Sequence, residues 1–458
     1  MENTSSGLQK GLEKRHIILM SLGCAIGVGL FLGSSKAITM AGPSVILAYI
    51  IGGGFMYLIM RALGELSVHE PSAGAFSHYA SKYLGKGAGF LVGWNYTLAA
   101  LIFCMSEVTA VAIYMKFWFP DTPQWIWAAA TFILMIAINT LSVKVFGEFE
   151  YWFAMIKVAT ICIMIILGLA AILFGLGNDG VPLGLSNLWS HGGFFPNGLE
   201  GLAGCLFLAM WAYGGMEMIA MTAGEVKEPE ETMKTAINTT FWRILLFYVG
   251  AVFIIITVYP WSEFSKVGSP FVDIFSRFGI QYAAGIVNFV VITAALSSFN
   301  GNIYGSVRII FNLAEKGQAP AALAKTNKNG VPMNSVLAVA GILLLCVLGN
   351  YLVPENIFMY FAGLGTLCNF FTWIMILASQ ISFRRGLSKE QLDKLAYKMP
   401  FAPYSAYLAI VFLLFIIYTL YQQDWARINI ICGLVWYVIV LALYYFVERK
   451  RIAAVKEM

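Results

Sequence analysis

Long apolar runs alternate with short polar connections along the whole chain. A run of about 20 apolar residues spans a bilayer as a helix, whereas a membrane barrel shows weaker segments of about ten alternating residues. The pattern therefore predicts an all-α integral membrane protein with about twelve spans. We place these spans at residues 17–40, 43–66, 87–117, 124–142, 152–175, 200–222, 238–259, 280–306, 334–353, 355–381, 402–421 and 428–447.

The first and the sixth predicted spans are interrupted by glycine. The first has glycines at positions 23, 27, 29 and 33, and the sixth has an adjacent pair at 214 and 215. Glycine weakens a helix and lets backbone or ligand approach closely, although small residues also mark plain helix–helix contacts. The two spans are the first members of two consecutive sets of five. Interrupted segments at matching positions of two halves indicate a transporter binding site, so we favour a site over packing.

The sixth span holds further candidates around its glycine pair. Trp211 and Tyr213 precede Gly214 and Gly215, and Glu217 follows them. Large aromatic side chains beside an interruption can close over a small ligand, so we predict that the two aromatic residues form a gate. We expect Glu217 to hold the interrupted segment by accepting backbone N–H bonds.

Composition and charge agree with a membrane protein. The chain is 59% hydrophobic and 12% charged, with a mean hydropathy of +0.76, whereas soluble domains carry about 25% charged residues. Most of the 29 Lys and Arg residues lie in the connections on the side of the N-terminus, which predicts cytoplasmic N- and C-termini. The basic residues are scattered, so we expect no nucleic-acid partner.

Motifs of enzymes and of metal sites do not occur in the sequence. It has no GxxxxGK[ST], GxSxG or HExxH motif, and its seven cysteines lie in apolar runs without zinc-ligand spacing,. We expect no enzymatic activity, no cofactor and no metal. The first apolar run shows no cleavage-site pattern, so we expect it to be a retained helix.

Ionisable residues inside a span are functional candidates by default. Lys157 in the fifth span either snorkels to the interface or faces the bundle, where a desolvated lysine can load and release a proton. Glu107 in the third span is a proton relay, a substrate contact or a structural carboxyl. Polar residues of the eighth span can line a site, coordinate sodium or bond neighbouring helices, and we count Ser298 among the candidate substrate contacts.

A set of short motifs extends over almost the whole chain. They are Gly27-Val28-Gly29-Leu30-Phe31, Met40-Ala41-Gly42-Pro43-Ser44, Arg61-Ala62-Leu63-Gly64-Glu65-Leu66, Phe146-Gly147-Glu148 with Lys157, Ala212-Tyr213-Gly214-Gly215-Met216-Glu217, Ala223-Gly224-Glu225, and Arg308 with Gly317-Gln318-Ala319-Pro320. Each motif alone is weak, but together they resemble bacterial amino-acid permeases of the amino acid–polyamine–organocation superfamily, in its amino-acid transporter branch.

This resemblance implies an inverted-repeat fold and secondary active transport. Residues 17–175 and 200–381 would form two inverted five-helix repeats, and residues 402–447 would add two helices outside them. Residues 1–16 and 448–458 would be cytoplasmic tails. The expected location is the bacterial plasma (inner) membrane, with the lipid bilayer as surroundings.

The resemblance also implies roles for the two interrupted spans. Backbone amides at Gly27, Val28 and Gly29 would hold the substrate α-carboxylate, since a half-helix N-terminus attracts an anion. Carbonyl groups near Ile26 and in the sixth span, around Ala212 and Tyr213, would take the α-ammonium, and the neighbouring Gly214 and Gly215 would complete the site. The family often has threonine where Val28 stands, so a hydroxyl contact is missing here.

For Lys157, the resemblance implies proton coupling. In proton-driven relatives, a lysine at this place in the fifth span takes the position that sodium occupies in sodium-driven members. We therefore expect import of an amino acid by proton symport. An exchanger, a sodium-coupled symporter and, from another class, an amino-acid sensor are the alternatives.

The substrate is less well defined by the sequence. Trp118-Phe119-Pro120 and Trp125-Ile126-Trp127, at the predicted outer ends of the third and fourth spans, are most similar to proline-specific permeases. Aromatic, histidine and γ-aminobutyrate permeases share much of the same framework. We expect proline or another neutral amino acid, and the sequence indicates no oligomeric state.

Overall fold

The computed structural model describes residues 26–456 except 73, 140–142, 218–219, 221–228, 267–270, 272–273, 276–281 and 328–331. Within these residues the chain forms helices, short 3-10 segments and turns, and no strand. The helices are α1 (Val28–Phe31), α2 (Gly33–Ala41), α3 (Val45–His69), α4 (Ala75–Leu84), α5 (Lys86–Met115), α6 (Gln124–Asn139), α7 (Val143–Phe174), α8 (Gly198–Ala212), α9 (Pro229–Val258), α10 (Ala283–Glu315), α11 (Met333–Leu352), α12 (Ile357–Arg385), α13 (Lys389–Asp393), α14 (Tyr404–Tyr421) and α15 (Arg427–Lys456).

Eight helical stretches of the described chain are long and apolar enough to cross a membrane. One of them, Val28–His69, covers two predicted spans, because a 3-10 turn at Gly42–Ser44 joins α2 to α3. Three shorter apolar helices, Gln124–Ile138, Gly198–Ala212 and Leu245–Val258, lie where the fourth, sixth and seventh spans were predicted. The prediction of an all-α membrane protein is confirmed. The part of the first span before residue 26 lies outside the described residues.

The interior of the bundle is formed by α5 and α10, which pack against each other. In the most apolar 18 residues of α5 and of α10, 78% and 83% of the residues are buried. In the most apolar 18 residues of Asp424–Val447, near the end of the chain, 11% are buried. Helix α5 also contacts α12, while α8 packs on α2 and α3, and α7 packs on α9 and α10. The polar residues of the third, fifth and eighth spans are therefore brought together in the middle of the bundle.

The connection after α3 contains the short helix α4. Phe76 and Tyr79 are buried, and α4 packs against α5 and α12, so the helix is part of the bundle. Just before it, Glu70 accepts hydrogen bonds from Lys82 and His78. Burial alone would raise the pKa of Glu70, but these two partners outweigh it and lower the pKa below its usual value,.

The helix of the seventh span starts earlier than the predicted residue 238. Helix α9 already begins at Pro229, and Met233 and Ala236 are buried. Proline fits the first turn of a helix because the missing N–H has no partner there in any case. In the connection from 315 to 332, the side chains of Asn334 and Ser335 donate to backbone carbonyls of a 3-10 turn at Ala321–Ala324.

A buried ion pair joins α3 to α12 on the side of the bundle that we predict to be cytoplasmic. The Glu65 carboxylate accepts two bonds from Arg384, each 2.6 Å, and further bonds from the Gln380 amide (3.0 Å) and the backbone N–H of Met399 (2.6 Å). The Glu65 side chain is fully buried, and that of Arg384 is 16% exposed. Such a bidentate pair fixes both distance and orientation, so it holds the two helices together.

Candidate functional site

The described part of the first span begins with a bend at Ile26 and Gly27, and helix α1 starts only at Val28. Gly27 is its N-cap residue, in an extended conformation (φ −120°, ψ −159°), and it has no side chain that could cap the helix. The first N–H groups of a helix lack carbonyl partners within it. Buried backbone amides are thereby presented at Gly27, Val28 and Gly29, the residues predicted to hold a carboxylate.

The sixth span is interrupted where the glycine pair predicts it. Helix α8 ends at Ala212, and turns follow over residues 213–217. Gly215 has φ +93°, in the region where a side chain would be strained. A Cβ atom added to Gly29 would lie 2.9 Å from Ala212 Cα, so the backbones of the two interrupted segments touch, and glycine is needed for that contact.

Glu107 lies directly against the start of α1. An added Cβ at Gly27 would meet Glu107 Oε1 at 2.5 Å and Ser298 Oγ at 2.9 Å. The Glu107 carboxyl also interacts with the Ser298 hydroxyl and with the backbone N–H of Val28. Its second oxygen, Oε2, is buried and has no hydrogen-bond partner among the residues described. A buried carboxyl with one unsatisfied oxygen is a strong candidate for binding a ligand or a proton.

Lys157 is fully buried and does not snorkel. Its Nζ donates a 2.9 Å hydrogen bond to Ser297 on α10, and its charge interacts with Glu107. Ser297 and Ser298 are adjacent, so α10 places one serine beside the lysine and the next beside the carboxyl. This geometry agrees with the predicted role of Lys157, which stays a prediction.

Three tyrosines surround the end of α8. The Tyr213 hydroxyl donates to the carbonyl of Tyr49 on α3, and the Tyr248 hydroxyl of α9 donates to the carbonyl of Ala212, both at 2.8 Å. The rings of Tyr213 and Tyr248 stack with centroids 5.2 Å apart. Tyr213, one of the two predicted gates, is therefore anchored to α3 in this conformation.

Glu217 closes the turn after α8. Its carboxylate accepts bonds from the backbone N–H of Gly215 and from the indole N–H of Trp373 on α12, both at 3.4 Å. This arrangement agrees with the expected role of holding the interrupted segment. The side chain is buried, and its partners come from the turn and from α12.

The other predicted gate, Trp211, packs among aromatic residues. Its ring stacks on Phe103 of α5 (5.9 Å between centroids) and meets Phe358 of α12 edge-on (5.5 Å). An added Cβ at Gly33 would lie 3.2 Å from the same ring. The tryptophan therefore connects α2, α5 and α12 around the two interruptions.

The structure brings all the sequence-predicted site residues into one region of the bundle, and it adds residues that the sequence analysis missed. Phe103, Tyr248 and Asn369 lie against the interrupted segments but were not singled out. An asparagine within an apolar span is a recognisable signal for Asn369. An aromatic residue of a membrane helix is too common to indicate a site.

Comparison with known proteins gives concordant matches. A sequence model of the family described as "Amino acid permease" matches residues 16–457. The chain is 50% identical over 459 residues to an uncharacterized amino acid permease, YtnA, of Bacillus subtilis (strain 168), covering 100% of this chain and 99% of that protein.

Two further relatives carry more specific names. A probable threonine/serine transporter, YbxG, of Bacillus subtilis (strain 168) is 47% identical over 438 residues, covering 96% of this chain and 95% of its own length. The aromatic amino acid transport protein AroP of Escherichia coli (strain K12) is 45% identical over 392 residues, or 85% of each chain. The matches therefore extend over nearly the whole sequence.

Proposed function

We proceed from the fact that this chain belongs to the amino acid permease family, and we propose that it imports a neutral amino acid together with a proton by alternating access. Amino-acid transport across a membrane follows from the family. The proton, the direction and the substrate class are our proposal. We further propose the bacterial plasma (inner) membrane as location, with cytoplasmic termini, on the strength of the Lys and Arg distribution.

The observation that carries proton coupling is the buried position of Lys157. Its amine is hydrogen-bonded to Ser297 and interacts with Glu107, which in turn lies against Gly27 at the start of α1. A proton gained or lost at this lysine changes the field at the substrate site, because charges in a low-dielectric interior interact strongly. A sodium ion at the same place would be repelled by the ammonium group, which disfavours sodium symport.

The two ends of an amino acid find complementary groups at the first interruption. Amide N–H groups at residues 27–29 attract the α-carboxylate. The Val28 amide already interacts with Glu107, so the incoming carboxylate replaces the Glu107 carboxyl there. The displaced carboxyl then becomes available to accept the α-ammonium or a proton. Substrate binding and proton binding are thereby linked through one side chain.

The substrate class rests on the relatives. Their names specify threonine and serine in one case and aromatic amino acids in another. The similarity to proline-specific permeases finds no support in these names. We therefore propose a neutral amino acid and leave proline as one member of the panel to be tested.

The test is uptake of labelled amino acids into proteoliposomes under an imposed pH gradient, with and without a sodium gradient. We expect accumulation that requires the pH gradient and ignores sodium. Uptake that depends on sodium, or that ignores both gradients, would falsify the proton mechanism while leaving amino-acid transport intact.

Substitution of Lys157 by alanine tests the coupling residue itself. We expect Lys157→Ala to bind the amino acid but to lose gradient-driven accumulation, because no proton is then exchanged at this position. The matched control is Met155→Ala, which shortens a long side chain of the same helix that is 42% exposed. Unchanged accumulation by Lys157→Ala would show that another group couples the proton.

A further inference from the structure

Asn369 lies in the middle of α12 with its side chain 1% exposed. In the part of the chain that the structure describes, its Nδ2 has no hydrogen-bond partner. Buried polar groups are nearly always hydrogen-bonded, because an unpaired one is destabilising. A carboxamide left unpaired inside a transporter therefore points to a partner that is not part of the chain.

The carboxamide faces the interrupted sixth span. An added Cβ at Gly214 would lie 2.7 Å from Asn369 Nδ2 and 2.7 Å from Phe103 Cζ. One helical turn earlier on α12, an added Cβ at Gly365 would lie 3.8 Å from both the Phe103 ring and the Trp211 indole nitrogen. One face of α12 thus places the Asn369 carboxamide against the turn at Gly214. On the same face, Gly365 lies against an aromatic wall formed by Phe103 and Trp211.

The distance between this wall and Glu107 fits the length of an amino acid. Phe103 and Glu107 are four residues apart on α5, so they lie on one face and about 6 Å apart along the helix axis. Glu107 lies against Gly27, where we place the α-carboxylate and α-ammonium groups. Asn369, beside Phe103, therefore lies near the side-chain end of a bound amino acid.

We propose that the Asn369 carboxamide hydrogen-bonds a hydroxyl on the substrate side chain, while Phe103 and Trp211 pack against its carbon atoms. A carboxamide has no charge to balance a charged side chain, but it pairs with a hydroxyl, which both donates and accepts. The favoured substrates are therefore neutral amino acids with a hydroxyl. This inference rests on the proposed function, since it assumes that an amino acid binds at the two interruptions.

The test compares amino acids that differ only in the hydroxyl. Binding of threonine and valine, which have nearly the same shape, is measured on the purified full-length protein, and serine and alanine form a second pair. We expect the wild type to bind threonine roughly tenfold more tightly than valine, the ratio that one hydrogen bond provides. In Asn369→Leu, which keeps the volume but removes the carboxamide, this ratio should fall to about one.

The matched control is Thr366→Val on the same helix. The Thr366 hydroxyl is also buried, but it bonds the carbonyl of Ala362 within α12, so its removal should leave the threonine-to-valine ratio unchanged. A second variant, Asn369→Ser, retains a small polar group and serves if Asn369→Leu does not fold. We expect it to retain part of the preference.

The outcomes separate this inference from the function on which it rests. A wild type that binds threonine and valine equally well, or an Asn369→Leu protein with the wild-type ratio, overturns the role of Asn369. Transport of some amino acid in the same preparations shows that the proposed function survives that result. A wild type that neither binds nor transports any of the twenty amino acids overturns both.

Discussion

Two buried glutamates, Glu65 and Glu107, show how differently one residue type is used in this bundle. Glu65 is 1% exposed and Glu107 is 2% exposed, so burial does not distinguish them. Glu65 accepts hydrogen bonds on both oxygens, two of them from the Arg384 guanidinium. Glu107 has one oxygen, Oε2, that is buried without a hydrogen-bond partner in the described chain.

The difference between them indicates which carboxylate stabilises the fold and which one serves the site. A buried charge is tolerated when its counter-charge and hydrogen bonds are complete. Where the hydrogen bonds of a buried carboxylate are incomplete, the folded protein is destabilised until a ligand or a proton binds there. The number of satisfied oxygen atoms, rather than the degree of burial, therefore separates a structural carboxylate from a functional one.

The largest expected effect is on stability, at Glu65. Glu65→Gln leaves the Arg384 guanidinium without its carboxylate, and loss of one partner of a buried pair typically costs about 3–5 kcal/mol. The measurement is the free energy of unfolding in detergent. Glu390→Gln is the control, because Glu390 and its partner Lys394 are more than 70% exposed, and such pairs contribute less than about 1 kcal/mol. Equal stability of wild type and Glu65→Gln would show that Glu65 does not stabilise the fold, and its contrast with Glu107 would be lost.

The next effect is on transport, at Glu107. Glu107→Gln keeps the shape of the side chain, and Oε2 has no hydrogen bond to lose in the described chain, so we expect its free energy of unfolding to change by less than about 1.5 kcal/mol. Uptake should fall by roughly tenfold to a hundredfold, which corresponds to one lost charged hydrogen bond. Uptake and stability are measured on the same preparation. A variant that transports normally would place Glu107 with Glu65 among the structural carboxyls.

The smallest effect concerns a third glutamate, Glu70, which lies outside the spans and is paired with Lys82 and His78. Its pKa is lowered in the folded protein. The pairing therefore stabilises the fold fully above the usual glutamate pKa of about 4.3, and this stabilisation is lost as the pH falls through the lowered value. Because the pair is partly exposed, we expect a difference of at most about 1 kcal/mol between wild type and Glu70→Gln.

The measurement for Glu70 is the free energy of unfolding of both proteins from pH 7 down to pH 3. The two curves should converge at the acid end of this range. Curves that stay parallel down to pH 3 would show that the pairing contributes nothing. The expected effect of substitution thus decreases from the fully paired, buried Glu65 through Glu107 to the partly exposed Glu70.

The sequence predicts the fold and the location of the site well, because both depend on patterns along the chain. Runs of apolar residues define the spans, and the glycine pair at 214 and 215 marks an interruption that the structure contains. Lys157 is recognisable as an ion inside a span. None of these features requires knowledge of which helices are neighbours.

The partners of these residues are not predictable in the same way. Glu65 and Arg384 are 319 residues apart, and only the packing of α3 against α12 brings them together. Asn350 and Asn369 are both asparagines in apolar helices. Asn350 is bonded to Gln124 and Thr109, whereas Asn369 Nδ2 has no partner among the residues that the structure describes. Helix rotation decides between these two cases, and it is not encoded in local pattern.

The tyrosine contacts at the end of α8 have a mechanical consequence. They fasten the interrupted sixth span to α3 through the Tyr49 carbonyl and to α9 through Tyr248, so we predict that these segments move together. Tyr49 is 20 residues from the end of α3 at His69, which is about 30 Å of helix. If these segments tilt by about 10° around the two interruptions, that end of α3 is displaced by about 5 Å.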